Sequence, residues 1–451
     1  MENLQSAVSP AGSSHTSQMF NFFGDPPVDI SVKRLYYDEI YPTVPIEKTS
    51  KQFTFHSPPC SHFTDLSETK LELSFKLTTG AGGVLPALKA DAPNQFLGVG
   101  TINLPISSFF KDIEIKLNNQ SISPLNQLYP HLSYIQTLLS FQSDARKSRL
   151  AMRGFFKDAN PSGKDCFNNA SGYAKRANYT TESHVYSITG PICHGIFQQQ
   201  KPLLPMTDLS LQFFLAEPEF VLKTAIEAPA PDFKYEIVSA KLVLKRLEIA
   251  DNLHLAFEQK LQQKPMTYPI SHIKVKSFVI NSQLNTFHIP DLFNGQFLPK
   301  QCFIAFVDQA KALGSYGSSP FEYDPHSVRD VFLRVGPLRI PTLPFYPEFS
   351  ANPPKILRAY ASLLGNDSMN EDNGLIITPD TYVNGFALYG FYFMQNQGHD
   401  ESFYSKKLGP CSLNVQFNVA PTRPLLCLVW QLHQEILYVD SSRNFLINFP
   451  L

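Results

Sequence analysis

Residues 112–122 read Asp-Ile-Glu-Ile-Lys-Leu-Asn-Asn-Gln-Ser-Ile, and residues 330–340 read Asp-Val-Phe-Leu-Arg-Val-Gly-Pro-Leu-Arg-Ile. Two further pairs of similar segments follow in the same order: residues 137–140 with 362–365, and residues 209–216 with 413–420. The members of each pair lie roughly half of the 451-residue chain apart. Three matches in one order at similar spacing indicate a duplicated module.

The segments around these repeats alternate between polar and apolar residues with the period of a β-strand. Residues 70–77, Lys-Leu-Glu-Leu-Ser-Phe-Lys-Leu, show the pattern most clearly. Such alternation is typical of strands with one buried and one solvated face, and clusters of Gly, Pro, Asn and Ser separate the runs. Further strands are predicted at residues 97–104, 112–117, 184–190, 208–215, 233–249, 272–283, 301–308, 330–335, 382–395, 411–419 and 424–440.

Helical periodicity is confined to three stretches, at about residues 126–142, 251–263 and 353–364. A parallel α/β sheet would need helices alternating with the strands, so this class is disfavoured. Long loops between the strands are typical of Greek-key sandwiches rather than of simple hairpins. The sequence therefore predicts an all-β fold of two tandem jelly-roll β-sandwiches, a double jelly roll, with a few short helices in the inter-strand loops.

A linker is predicted at residues 228–232, Ala-Pro-Ala-Pro-Asp, because alternating prolines favour an extended chain and prevent regular pairing. We accordingly expect a partly flexible N-terminal arm at residues 1–49, a first jelly roll at 50–227 and a second at 228–451.

The composition indicates an assembling subunit. Charged residues make up 17% of the chain and aromatic residues 13%, with 37 Phe. Interfaces between subunits are depleted in charge and enriched in aromatic residues, so we expect much of the surface to contact neighbouring copies. The predicted interface residues are Phe20, Phe22 and Phe23 in the arm, which is either a docking segment or a floppy tail, and Phe345 and Tyr346 in an aromatic loop.

The charge pattern gives no strong footprint for nucleic acid. The net charge is −1, and the densest basic cluster is Arg146, Lys147 and Arg149. These three residues either lie on a solvated loop after a helix or face a packaged genome, so DNA is expected to be bound only weakly or indirectly.

No catalytic, cofactor-binding or metal-binding motif is found, and we do not expect an enzyme. The Gly98-Val-Gly100 segment lacks the third glycine of a dinucleotide site, and Ser162-Gly-Lys164 lacks the features of a phosphate loop. The spacing of His56, Cys60 and His62 matches no structural zinc pattern.

The cysteine spacing and the hydropathy indicate in which cellular compartment the chain is made. The six Cys are scattered without CxxC spacing, no secretory signal peptide precedes them, and no apolar run approaches the roughly 20 residues of a membrane helix. We expect free thiols, no membrane span, and synthesis in the cytoplasm or nucleus of a host cell.

Several stretches, taken together in order, resemble the hexon-like major capsid proteins of Polinton (Maverick) elements and adintoviruses. The resemblance spans roughly residues 28–451 and is carried by residues 64–73, 109–142, 173–177, 291–299, 314–321, 384–391 and 442–449. It implies a double jelly-roll subunit that forms homotrimeric, pseudo-hexagonal capsomers of an icosahedral virion capsid around a double-stranded DNA genome. It also implies a penton protein, minor capsid proteins, a maturation protease and a packaging ATPase as companions, and no active site.

Two other functions stay open at this level. A tandem β-sandwich could instead bind carbohydrate or a receptor, and its acidic candidate site is Asn-Glu-Asp-Asn at residues 370–373. An enzyme on a jelly-roll scaffold is the third reading.

Overall fold

The computed structural model describes residues 31–88, 98–123, 127–167, 171–226, 232–294, 297–365, 374–393 and 409–448, with residues 447 and 448 described by their backbone alone. The strands, numbered along the chain, are β1 (Val32–Ile40), β2 (Gln52–Ser57), β3 (Phe63–Thr79), β4 (Val99–Thr101), β5 (Phe110–Leu117), β6 (Gln120–Ser121), β7 (Tyr186–Gly190), β8 (Leu209–Leu215), β9 (Leu222–Thr224), β10 (Phe233–Ile249), β11 (Met266–Ile280), β12 (Thr286–Ile289), β13 (Gln301–Asp308), β14 (Val328–Val335), β15 (Leu338–Phe345), β16 (Leu388–Tyr392), β17 (Cys411–Phe417), β18 (Leu425–Val439) and β19 (Phe445–Asn448).

The helices are short and lie between strands. They are α1 (Pro105–Ser108), α2 (Tyr129–Ser140), α3 (Gly172–Thr180), α4 (Pro218–Val221), α5 (Asp251–Gln263), α6 (Gln309–Leu313), α7 (Leu357–Ala361) and α8 (Pro379–Tyr382), with short 3-10 turns in the loops. No helix in the described ranges is long and apolar enough to cross a membrane.

The two halves of the chain have the same strand order. In the first half, one sheet runs β1-β10-β3-β7 and the other β2-β8-β5-β6, while β4 and β9 form a separate pair. In the second half, the order is β11-β18-β13-β16, with β19 added to β18, and β12-β17-β14-β15. Every strand of the four large sheets except β19 therefore has a counterpart in the other half. This arrangement is two jelly rolls in tandem, and the predicted fold class is confirmed.

The register of the strands refines the repeat found in the sequence. A β-bulge immediately precedes Asp112 in β5, and another precedes Asp330 in β14, so these two aspartates are equivalent. Asp112 pairs with Phe214, whereas Asp330 pairs with Gln416. Phe214, not Gln212, is thus the counterpart of Gln416. The sequence alignment of this segment is two residues out of register, which leaves every side chain on its predicted face because the strand period is two.

Each half has an aromatic centre within a hydrophobic core that is continuous through both halves. In the first half, Phe213 stacks on Phe53 at 5.4 Å between ring centroids and contacts Phe110 at 4.8 Å. In the second half, Phe303 packs edge-on against Trp430 at 5.5 Å. Burying one such side chain contributes about 1.5–3 kcal/mol, so these clusters account for much of the stability of each sandwich.

The strand pairing differs from the predicted division of the chain at residue 228. Residues 227–231 lie outside the described residues, but β10 pairs along its whole length with β3 of the first half, from Phe233 opposite Thr79 to Leu247 opposite Phe63. Strand β1, which falls within the predicted arm, pairs with the other side of β10. We propose that the first sandwich extends from β1 to β10 and that the chain passes to the second sandwich at α5.

Most predicted elements are present, and the departures have local causes. The helix at 251–263 is confirmed, and the helix predicted at 126–142 is α2. The helix predicted at 353–364 is shorter, because the backbone of Lys355 pairs with Glu348 and delays the start of α7 to Leu357. The strand predicted at 382–395 begins later, at Leu388 of β16, since α8 includes Tyr382, and residues 394 and 395 lie outside the described residues.

The two sandwiches are held together by buried contacts around α2. Trp430 of β18 donates its indole N–H to the carbonyl of Leu132 in α2 at 3.3 Å. The ring of Tyr134, also in α2, stacks on Phe321 of the second half with centroids 4.1 Å apart. A continuous core with stacked rings and a buried hydrogen bond resists sliding of one sandwich over the other. The chain therefore presents two similar walls in a fixed relative orientation.

Candidate assembly surfaces

The predicted interface residues divide between the core, the surface and the part of the chain that is not described. Phe20, Phe22 and Phe23 lie outside the described residues. Phe345 is 4% exposed, and its ring packs against Phe391 at 5.4 Å and Tyr389 at 6.2 Å. Its ring is therefore committed to the core and is not available to a neighbouring subunit. Tyr346, the next residue, is 56% exposed, and its role in an interface stays a prediction.

Tyr346 belongs to an exposed apolar surface at the end of β15, which we call the β15 patch. Its members are Leu343, Tyr346 and Leu357, of which the two leucines are 62% and 69% exposed. The guanidinium of Arg358 donates to the carbonyl of Leu343 at 2.7 Å and so holds α7 beside the end of β15. Strand β15 is the outer strand of its sheet in the described part of the chain, so this patch lies next to a sheet edge.

A second exposed apolar surface lies on the first sandwich, at β1. This β1 patch comprises Leu35, Tyr37 and Tyr41, and its first two members are 48% and 54% exposed. They alternate with the half-buried Tyr36, as expected for a strand that covers the sheet with one face only. Within the described residues, β1 pairs with β10 alone, so its second edge is also free of a main-chain partner.

The margin of the β1 patch is charged. Lys241 of β10 pairs with Glu39 at 2.9 Å and with Glu72 at 3.0 Å. The hydrogen bond from Lys241 lowers the pKa of Glu39, and the two carboxylates raise the pKa of Lys241. Glu39 and Lys241 are therefore charged at neutral pH, and the exposure of these pairs makes their contribution to stability small. An apolar centre with a charged rim is the usual anatomy of a protein interface.

The predicted basic cluster lies on a 3-10 turn at Ser143–Lys147 that follows α2. Arg146 is half-buried and donates from Nε to the carbonyl of Ser143 at 2.8 Å, so it stabilises its own turn. Lys147 and Arg149 are exposed. This exposure fits both interpretations, a solvated loop or a surface that faces packaged DNA, and the contact with DNA stays a prediction.

The residues considered as zinc ligands have separate partners. His56 pairs with Asp208 through Nε2 at 2.8 Å, while His62 is hydrogen-bonded through Nδ1 to the hydroxyl of Tyr36 at 2.8 Å. The thiol of Cys60 lies 3.8 Å from the same Nδ1. No group of three or more His, Cys, Asp and Glu side chains that could hold a metal ion is found among the described residues. Residues 370–373, the acidic candidate for a binding module, lie outside them.

A buried polar cluster between the two sandwiches was not predicted. His272 on β11 is hydrogen-bonded to Glu435 on β18 at 2.8 Å, and Lys274 pairs with the second carboxylate oxygen at 2.9 Å. Burial opposes ionisation of Glu435, but the bonds from His272 and Lys274 lower its pKa to about 2. The sequence signal is a run of polar residues at inward positions of otherwise apolar strands, namely His272 and Lys274 on β11 and Gln431, His433 and Glu435 on β18.

The first sandwich contributes His194 to this cluster, with its ring centroid 5.5 Å from that of His272. Burial and, to a smaller extent, the neighbouring His272 lower the pKa of His194 to about 3. The adjacent Gly195 allows close approach of the two halves, because a Cβ there would lie 2.3 Å from the carbonyl oxygen of Ser271. The cluster therefore lies at a tight junction that depends on a neutral His194.

The sequence has a distant relative among known proteins. No family model matches the chain. It is 22% identical over 398 residues to the "Uncharacterized protein F54H12.2" of Caenorhabditis elegans, covering 86% of this chain and 90% of that protein.

Solved structures from virus particles have a similar fold. A chain of the Sputnik virophage structure aligns with a TM-score of 0.64 at 12% identity, covering 98% of this chain and 93% of that one. A chain of the PBCV-1 capsid aligns at 0.57 and 11% identity, covering 95% and 100%, and the mavirus major capsid protein at 0.51 and 11%, covering 98% and 96%. At this level of identity, the likeness shows that the fold is shared.

Proposed function

We propose that the chain is a structural major capsid protein that forms homotrimeric, pseudo-hexagonal capsomers of an icosahedral shell around a double-stranded DNA genome. The observation that carries this proposal is the fusion of two jelly rolls of identical strand order through one continuous core. The shared fold with chains from the Sputnik, PBCV-1 and mavirus particles supports it.

The geometry suits a trimer. One chain supplies two similar walls, so three chains related by a three-fold axis supply six, and an object with six similar sides can tile a near-hexagonal lattice. A rigid connection between the walls is required for this, because a hinge would let the six sides vary in orientation. The buried contacts of α2 with Trp430 and Phe321 provide that rigidity.

The two apolar patches suit the heterologous contact that a three-fold ring needs. In such a ring, one surface of each subunit meets a different surface of the next. The β1 patch lies on the first sandwich and the β15 patch on the second, so the first of one copy can be buried against the second of its neighbour. Both patches combine leucine and tyrosine, and tyrosine is enriched at interfaces.

The narrower assignment, to capsid proteins of the Polinton (Maverick) and adintovirus type, rests on the sequence resemblance. It brings with it a penton protein and minor capsid proteins as partners, a location in the virion capsid, and synthesis in the host cytoplasm or nucleus. The exposed Lys147 and Arg149 are the candidate contacts with packaged DNA, with Arg146 supporting their turn.

The experiment that tests the capsomer is the solution mass of the purified chain by size exclusion with light scattering. Three chains of 50.8 kDa give about 152 kDa, and this mass, followed by hexagonal arrays or shells in electron micrographs, is the expected result. A clean 50.8 kDa monomer at every concentration, with no arrays even at high protein concentration, would contradict self-assembly.

A further inference from the structure

An apolar groove of about 500 Å³ lies between α5, the adjoining end of the first sheet and the start of β11. Its lining includes Phe63, Leu247, Leu253 and Phe257. The rings of Phe63 and Phe257 are 5.9 Å apart, so α5 is packed on the sheet at one side of the groove and leaves the rest open. The volume is within the range of about 300–1,000 Å³ that is typical of ligand-binding sites.

The rim of the groove is positively charged. Lys201, Lys260 and Lys264 line it, all three are exposed, and no Asp or Glu is among the described residues of its lining. An apolar floor with a cationic rim fits an occupant that combines large apolar groups with negative charge.

The chain carries such a segment directly before Ser31, the first described residue. Residues 20–30 read Phe-Asn-Phe-Phe-Gly-Asp-Pro-Pro-Val-Asp-Ile, which contains three Phe and two Asp but no Lys or Arg. Indeed, residues 1–30 contain no Lys or Arg at all. The segment therefore complements the groove both in hydrophobicity and in charge.

The point at which the chain enters the described structure also favours this segment. Ser31 itself lines the groove, and its carbonyl accepts a hydrogen bond from the backbone N–H of Ala250 at 3.0 Å, immediately before α5. Lys33 pairs with Asp251 in the first turn of α5 at 2.8 Å. The C-terminal end of the segment 20–30 is therefore joined directly to a residue that lines the groove.

The segment is also long enough to reach along the whole groove. Phe23 is eight residues from Ser31, and an extended chain covers about 3.3–3.6 Å per residue, which gives a reach of about 26–29 Å. Helix α5 has 13 residues and is about 20 Å long. The rings of Phe20 and Phe22 can therefore be placed along the groove without displacing Ser31.

We propose that residues 20–30 of the same chain bind in this groove, with the rings of Phe20 and Phe22, which share one side of an extended segment, on its floor and Asp25 and Asp29 beside the lysine rim. Binding within one chain is favoured over binding of a neighbour's segment, because the tether to Ser31 gives a high effective concentration. The proposal does not depend on the capsid function.

The test is chymotrypsin cleavage after Phe20, Phe22 and Phe23 in the full-length chain, followed by mass spectrometry at low protein concentration. In the rim variant Lys201→Glu/Lys260→Glu/Lys264→Glu, we expect cleavage at least tenfold faster than in the wild type. The control Lys51→Glu/Lys70→Glu/Lys175→Glu reverses three exposed lysines that do not line the groove and should leave the rate unchanged.

A charge swap keeps the test independent of any damage to the folded structure. Asp25→Lys/Asp29→Lys alone should be cleaved as fast as the rim variant, and combining it with the rim variant should restore the wild-type rate to within about twofold. Equal cleavage rates in all of these proteins would overturn the proposal. Protection that is lost on dilution would also overturn it, since the groove would then hold the segment of a second copy.

Discussion

We expect acid to loosen the junction between the two sandwiches, and His194 to be a main cause. His194 as a whole is half-buried, but its Nε2 is buried and has no hydrogen-bond partner among the described residues. Its pKa is lowered to about 3 from 6.5, so below pH 6.5 the unfolded chain binds a proton that the folded chain does not. Stability from this group is therefore complete above about pH 7 and is lost as the pH falls towards 3.

The magnitude follows from the two pKa values of His194. Each pKa unit is worth about 1.4 kcal/mol, so acidification from pH 7 to pH 5 should lower the free energy of unfolding by about 2 kcal/mol through this residue. Glu435 adds little in this window. Its pKa is lowered to about 2 from 4.5, so its contribution is lost mainly below pH 4.5. Burial also lowers the pKa of His131, to about 4, which adds a similar loss of its own.

The variant His194→Asn isolates the effect. The Nδ1 of His194 accepts from the backbone N–H of Ile196 at 3.3 Å, and the side-chain oxygen of Asn can accept the same bond without titrating. Urea unfolding of the wild type and the variant at pH 7 and pH 5 measures the difference. We expect the pH-dependent loss to be about 2 kcal/mol smaller in the variant, while His184→Asn at an exposed position serves as the control.

Several titratable groups surround His194. The groups around it are His272, Glu435 and Lys274 from the second sandwich, with Cys193 and Asp112 from the first lining the same small cavity. If wild type and His194→Asn lose the same free energy between pH 7 and pH 5, the imidazole is not held neutral at the junction, and the reasoning fails.

Three further predictions follow from the surfaces and the core. Replacing Tyr346 and Leu357 with Asp should abolish trimers in light scattering while leaving the melting temperature within about 2 °C of the wild type. In contrast, Phe345→Ala should lower the free energy of unfolding by about 3–5 kcal/mol. If trimers persist in the first variant, the β15 patch is not part of the interface. Arg176 pairs with Asp158 at 2.9 Å in the core. Asp158→Asn should lower the free energy of unfolding in urea by about 3–5 kcal/mol, because it leaves the guanidinium as an uncompensated buried charge. A decrease of less than 1 kcal/mol would contradict this. Changing Lys147 and Arg149 to Glu should weaken retention of DNA at low salt, and equal retention would show that the turn does not contact DNA.

The candidate surfaces were only partly predictable. The aromatic loop at residues 344–347 was identified by composition, but composition does not distinguish Phe345 in the core from Tyr346 on the surface. Adjacent residues of an extended segment point to opposite sides, and which side is covered depends on Phe391 and Tyr389, about 45 residues away. The β1 patch was missed because residues 32–40 were included in a flexible arm.

The sequence by itself determined the class of fold, the repeat and most strands. Period-two alternation and turn clusters are local properties, so strands such as β10 and β13 were predicted with their observed bounds. Tertiary structure alone decided which strands pair. The alternation of β10 is the same whether it joins β3 or a strand of the second half, and only burial of its apolar face against the first sandwich selects β3. The same holds for the junction at His194 and for the groove at α5, since each combines residues from distant parts of the chain whose contact no local pattern encodes.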